Sequence, residues 1–288
     1  MDAVPHAAGR PVWMGRRGPL ASRLCAGVMG IVNLTPDSFF DGGSHGGPEA
    51  GAAHARRLIE EGADILDLGG ESSRPGARPV DAAEEAARVL PVLKALKAGP
   101  NPPAVSVDTW RASTAALALE AGCDVVNDIS AQSFDPGLTD VLVQYRPGYV
   151  LMHCQGTPAT MQDSPRYADP ASDVAAFFER ELSRLVRAGF PEENVILDPG
   201  IGFGKTASHN LALIRHPEAW AKLGRPSLMG LSMKSLFGDL LGLETAERGA
   251  ATQAATALAL VQGYAWHRVH DALATSNTVA LFQALSGA

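Results

Sequence analysis

Short, nearly continuous apolar runs punctuate the chain, and longer stretches with helical spacing separate them. The runs cover residues 24–32, 63–68, 104–107, 124–127, 148–152, 195–197, 227–231 and 263–269. Most show no alternation of apolar and polar positions, which marks parallel strands covered on both faces. The last, which carries Trp266 and His267, is the least regular. Between the first two runs Ala52, Ala55 and Ile59 recur at helical spacing, and Gly62 follows as a stop. Asp81 with Glu84 resembles a capping box ahead of the stripe Ala86, Val89, Leu90 and Leu93. Residues 112–121, 173–188 and 244–261 also read as helices. Strand–helix alternation repeated eight times predicts the α/β class and a single-domain (β/α)8 TIM barrel over residues 24–288. Residues 1–23 hold Arg10, Arg16, Arg17 and Arg23 against one acid, Asp2. They read as a loosely ordered N-terminal extension.

Active sites of such barrels lie at the C-terminal ends of the strands. Here those ends carry polar residues beyond what a plain turn requires: Asn33, Thr35, Asp37 and Ser38; the run from Glu71 to Arg74; Asp108; Asn127 and Asp128; His153; Asp198; Ser232 and Lys234; Arg268 and His270. Several have a structural alternative. Asp108 could cap the helix that starts near Arg111. Asn127 and Asp128 could form a turn, as could Asp198-Pro199-Gly200. As a set, two Asp and one Asn at strand ends suit a flat, nitrogen-rich heterocycle such as an aminopyrimidinone, whose adjacent N–H groups pair with a carboxylate.

Composition narrows the remainder. The 288 residues are 46% hydrophobic and 19% charged, which excludes disorder. Thirty glycines and twenty prolines without a fixed period exclude collagen and imply many turns. No run approaches the length of about 18 apolar residues that a membrane span needs. A net charge of −7 argues against a nucleic-acid partner. Against that acidic background Arg74, Lys234, Arg268 and His270 all follow strand ends, which points to an anionic phosphate or pyrophosphate group. Asn33 and Asp37 could add a Mg²⁺ site completed by substrate oxygens. Cys25, Cys123 and Cys154 are odd in number and far apart, as expected of reduced thiols in the cytoplasm. Neither zinc-ligand spacing nor a Gly-x-Ser-x-Gly elbow is present.

The segments Met29-Gly30-Ile31-Val32-Asn33-Leu34-Thr35-Pro36-Asp37-Ser38-Phe39 and Asp67-Leu68-Gly69-Gly70-Glu71-Ser72-Ser73-Arg74-Pro75-Gly76 resemble those of dihydropteroate synthases. So do Val107-Asp108-Thr109, Val126-Asn127-Asp128, the stretch from Asp198 to Lys205, and Arg268-Val269-His270-Asp271, in the family's order. The resemblance implies folate synthesis: 6-hydroxymethyl-7,8-dihydropterin pyrophosphate joins 4-aminobenzoate, with Mg²⁺, and pyrophosphate leaves. It implies that Asp108, Asn127, Asp198, Phe203 and Lys234 bind the pterin. Asn33, Ser73, Arg74, Arg268 and His270 would hold pyrophosphate, Asn33 also the metal, and Phe39, Pro75 and Ser235 the aminobenzoate. Asp108, Lys234, Arg268 and His270 would carry the catalysis. Loops 35–43 and 72–77 would close over the substrates, in a cytoplasmic homodimer. Met233 departs from the family's usual arginine beside the lysine, and Ser73 from its usual threonine. Two alternatives share the pterin residues: a non-catalytic pterin-binding paralogue, which Met233 would favour, and a methyltetrahydrofolate:corrinoid methyltransferase.

Overall fold

The computed structural model describes residues 11–35, 47–72 and 80–287. Ten strands occur there: β1 (Met14–Gly15), β2 (Gly18–Pro19), β3 (Gly27–Asn33), β4 (Ile65–Gly69), β5 (Ala104–Asp108), β6 (Val125–Asp128), β7 (Gly148–Met152), β8 (Val195–Asp198), β9 (Leu228–Met229) and β10 (Trp266–Val269). The last eight form one sheet in the order β8-β7-β6-β5-β4-β3-β10-β9. All of its neighbours are parallel. A parallel bridge between Leu197 and Ser227 joins its two edges, so the sheet closes into a barrel. Each apolar run in the sequence coincides with one of these eight strands, five of which extend one residue beyond it.

Helices return the chain between strands: α1 (Pro48–Glu60), α2 (Ala82–Lys97), α3 (Ala112–Glu120), α4 (Leu138–Tyr145), α5 (Pro170–Arg187), α6 (Ala207–Arg215), α7 (Glu218–Ala221), α8 (Leu236–Leu241), α9 (Gly249–Val261) and α10 (Ala272–Ser286). Local chemistry starts several of them. Asp81 accepts the Glu84 N–H at the start of α2, and Asp169 accepts from Ser172 just ahead of Pro170, the first residue of α5. The helix expected over 244–261 is divided. A 3-10 turn at Thr245–Glu247 precedes α9, because the Arg248 side chain is drawn back to the Leu243 and Met233 carbonyls.

Period two along each strand separates two cores. Val28, Leu66, Leu68, Val107, Val126, Leu151 and Leu197 point outward to the helices. Met29, Ile65, Val125, Val150, Ile196, Leu228 and Trp266 point inward and fill the barrel floor. Gly27 is required there, since a Cβ would lie 2.2 Å from the Trp266 ring.

Residues 11–23 differ from the loose extension expected of residues 1–23, of which 1–10 lie outside the described residues. Residues 11–20 include the β1–β2 hairpin, which closes the barrel floor. Trp13 is buried and meets Trp266 edge to face at 5.4 Å, and its indole N–H donates to the Asn194 carbonyl at 2.8 Å. Arg17 pairs with Asp124 at 2.6 Å. Of the arginines that suggested a loose extension, Arg17 and Arg23 pair with acids just ahead of β6 and β4, and Arg16 donates to the Leu119 carbonyl. The floor needs this cover because Trp266 would otherwise face water.

Candidate active site

Inward-facing positions above the apolar floor become polar. In β4 the inward positions are Ile65, Asp67 and Gly69; in β6 they are Val125 and Asn127; in β10 they are Trp266 and Arg268. A cavity of about 1100 Å³ opens there, at the C-terminal ends of the strands. Asn33, Asp108, Asn127, Asp198, Phe203, Lys234, Ser235, Arg268 and His270 all line it. Residues from distant parts of the sequence thus converge on one volume. Phe39, Ser73, Arg74 and Pro75, with Asp37 and the greater part of both expected closing loops, lie outside the described residues.

Asp108 is not a helix cap. Its Oδ2 accepts from Arg268 Nη2 at 2.7 Å, while the start of α3 is served by Asp135 through the Ala112 N–H. Burial raises the Asp108 carboxyl to about 7, against the opposing pull of Arg268. Arg268 Nε donates to Asp67 Oδ2 at 2.6 Å, and Asn127 Nδ2 donates to the same oxygen at 2.9 Å. Burial works against the Arg268 charge, but Asp67 and Asp108 hold its pKa above the ordinary value. A Cβ at Gly69 would stand 3.9 Å from both Asn33 Oδ1 and Asp108 Oδ2, so two oxygen donors flank that bare backbone.

On the other wall, Lys234 Nζ lies 4.4 Å from the centre of the Phe203 ring. Desolvation lowers its pKa to about 8, partly offset by the Asp198 charge. Asp198 Oδ1 accepts the Gly200 N–H at 2.7 Å, so the turn alternative for this residue is real and coexists with its place in the cavity. Gly200 has φ +67°, and a Cβ there would lie 2.0 Å from the His153 carbonyl oxygen. Only glycine fits. His270 Nδ1 is 2.9 Å from Ser232 Oγ. Met233 lines the same cavity in the left-handed conformation, φ +59°. Its N–H donates to Thr252 Oγ1 and its carbonyl accepts from Arg248, which hold that strained backbone in place.

The structure separates other neighbours. Asp128 points outward and accepts from Ser130, Gln132 and Tyr149, so it is the turn former. Lys205 is buried away from the cavity lining and donates to the His153 and Phe203 carbonyls. Asp67 and Arg248 were missed by the sequence reading. Asp67 had a signal: an acid in the middle of an otherwise apolar buried strand. Arg248 had none, because it falls where the helical pattern runs on.

Comparison with known proteins agrees with this geometry. A family model described as pterin binding enzyme matches residues 29–270. The dihydropteroate synthase of Neisseria meningitidis serogroup C is 45% identical over 264 residues, covering 90% of this chain and 92% of that protein. The Xanthomonas albilineans dihydropteroate synthase solved with 4-aminobenzoic acid superposes with a TM-score of 0.86 at 40% identity, covering 94% of this chain and 95% of that one. The same organism's enzyme in complex with 7,8-dihydropteroate gives 0.82 at 38% identity, over 91% and 94%. With its polar strand ends gathered around one cavity and this identity along nine-tenths of its length, the chain belongs to the dihydropteroate synthases within the pterin binding enzyme family.

Proposed function

We infer that this protein condenses 6-hydroxymethyl-7,8-dihydropterin pyrophosphate with 4-aminobenzoate, giving 7,8-dihydropteroate and pyrophosphate. The observation that carries the reading is the single cavity at the strand ends, with a carboxylate–amide wall on one side and Lys234 over Phe203 on the other. Asn127 commits its amino group to Asp67, so its carbonyl oxygen is left to accept from a ring N–H or exocyclic amine. Asp198 supplies a second acceptor, and the Phe203 ring a face for stacking. The relatives argue against the non-catalytic and methyl-transfer alternatives: they are synthases, and one was solved with the product of this condensation.

The chemistry follows from charge. The bond between the pterin methylene carbon and the pyrophosphate oxygen breaks, and its electron pair departs with pyrophosphate. Arg268 and His270 take up the leaving charge, and Asp108 stabilises the cation left on the pterin. The aminobenzoate nitrogen then forms the C–N bond and releases its proton to the departing pyrophosphate or to water. No protein nucleophile is needed. Mg²⁺ fits the donor set: Asn33 lines the cavity, and its Oδ1 and Asp108 Oδ2 flank the bare backbone of Gly69, so an ion there would complete its shell with substrate oxygens. Asn33 would hold it, and the ion would supply neutralisation of the pyrophosphate.

A homodimer is supported by exposed apolar side chains on α9 and α10, which pack side by side. Leu258 and Val261 share one face of α9 by their spacing, as Leu281 and Leu285 do on α10, and each is more than half exposed. Leu258→Glu should convert a dimer to monomers in analytical ultracentrifugation. No helix among the described residues is long and apolar enough to cross a membrane. The function itself is tested by dihydropteroate formation from the two substrates with Mg²⁺. Folded protein that makes no product above background refutes it.

A further inference from the structure

Asp67 does not line the cavity, yet it is joined to the residues that do. It sits on the inward face of β4, wholly buried. One of its oxygens, Oδ2, receives both Asn127 Nδ2 and Arg268 Nε; the other, Oδ1, finds no hydrogen-bond partner among the described residues. A buried carboxylate left half-satisfied is costly, so a role beyond packing is indicated.

Counting charge around Arg268 supplies that role. The guanidinium touches two carboxylates, Asp67 through Nε and Asp108 through Nη2. Asn127 is neutral, and Lys234 and Asp198 on the facing wall cancel. With Asp67 present and Asp108 ionised, above about pH 7, the group of Asp67, Asp108 and Arg268 carries one surplus negative charge. Without it, Arg268 and Asp108 would neutralise each other. The proposed reaction makes opposite demands on this spot: a cation for the departing pyrophosphate, and an anion for the carbon it leaves. An arginine that served the first alone would cancel the carboxylate that serves the second.

We propose that Asp67 is a positioning residue that takes up the charge of Arg268, leaving the negative charge of Asp108 available to the pterin cation. The same contact orients Asn127, so that its carbonyl rather than its amino group meets the substrate. Asp67 acts only through Arg268, Asn127 and Asp108, because it is screened from the cavity. This inference rests on the function proposed above.

Asp67→Asn tests it. The amide oxygen introduced by this change can accept from both Asn127 and Arg268, so the substitution removes charge with little change of shape. The expected result is a kcat at least about tenfold lower with pterin-product affinity within about threefold of wild type. Inhibition by inorganic pyrophosphate with Mg²⁺ should become tighter, because Arg268 is then less compensated. Lower turnover with tighter pyrophosphate is a pattern that a loosened pocket does not produce. Asp67→Ser, which removes the charge without burying an amide, should give the same pattern. Unchanged kcat, weaker pyrophosphate binding, or loss of pterin affinity in step with kcat would overturn the proposal. So would failure of both variants to fold, which would assign Asp67 to the core alone. Wild-type activity is measured alongside: its absence refutes the proposed function, whereas an active wild type with an indifferent Asp67→Asn refutes only this inference.

Discussion

Asp108→Asn separates binding from catalysis. The asparagine keeps an oxygen where Asp108 Oδ2 accepts from Arg268 at 2.7 Å, and Arg268 stays anchored by Asp67 at 2.6 Å, so the cavity wall should persist. What disappears is the charge. A carboxylate about 5 Å from a developing cation, at an effective dielectric near 20, contributes about 3 kcal/mol, or roughly 150- to 300-fold in rate. The loss should fall mainly on kcat, with a much smaller loss of pterin affinity by calorimetry, because the cation exists only along the reaction path. pH gives a second reading. Burial holds the Asp108 carboxyl near 7, so its charge is lost as pH falls through that value, and wild-type kcat/KM should decline below about pH 7. Asp108→Asn should abolish that acid limb. Equal losses of affinity and turnover, or an acid limb that persists in the variant, would refute this account of Asp108.

Other expectations follow from the opposite wall and the floor. Desolvation sets Lys234 near 8, so its charge is lost as pH rises through that value; pterin affinity should weaken on the alkaline side, and Lys234→Met should remove this dependence in a pH series of binding measurements. Met233→Arg adds a cation to the cavity lining beside Ser235. It should raise kcat/KM for 4-aminobenzoate by up to about tenfold if one charge-assisted contact of about 1.5 kcal/mol is recovered; an unchanged ratio in steady-state kinetics would show that the lining already provides that contact. Trp13→Ala should cost about 3–5 kcal/mol in urea unfolding, because the indole is buried against Trp266 and donates to the Asn194 carbonyl.

The strand positions were legible because each strand is covered on both faces and must be apolar almost throughout. The helices with clear stripes were legible for a related reason: each buries one face. The short α8 was not, since its six residues carry too little pattern. Nor was the division at Arg248, where a side chain reaching back to two carbonyls overrides a run of good helix formers. The hairpin at residues 14–19 escaped because arginine content was read as solvation, whereas Arg17 answers an acid at the foot of another strand, more than a hundred residues away.

Residue types at the strand ends were enough to identify the family and the kind of substrate. They could not decide between capping and catalysis for Asp108, or between turn and site for Asn127 and Asp128. That choice depends on which way a side chain leaves its strand and on what stands across the barrel. Closure of the sheet pairs β10 with β3, so across the barrel interior Arg268 meets Asp67 on β4, 201 positions earlier, and Asp108 on β5, 160 positions earlier. Sequence separation carries no information about such a pair. The barrel's closure creates it, and with it the charge balance on which the proposed chemistry depends.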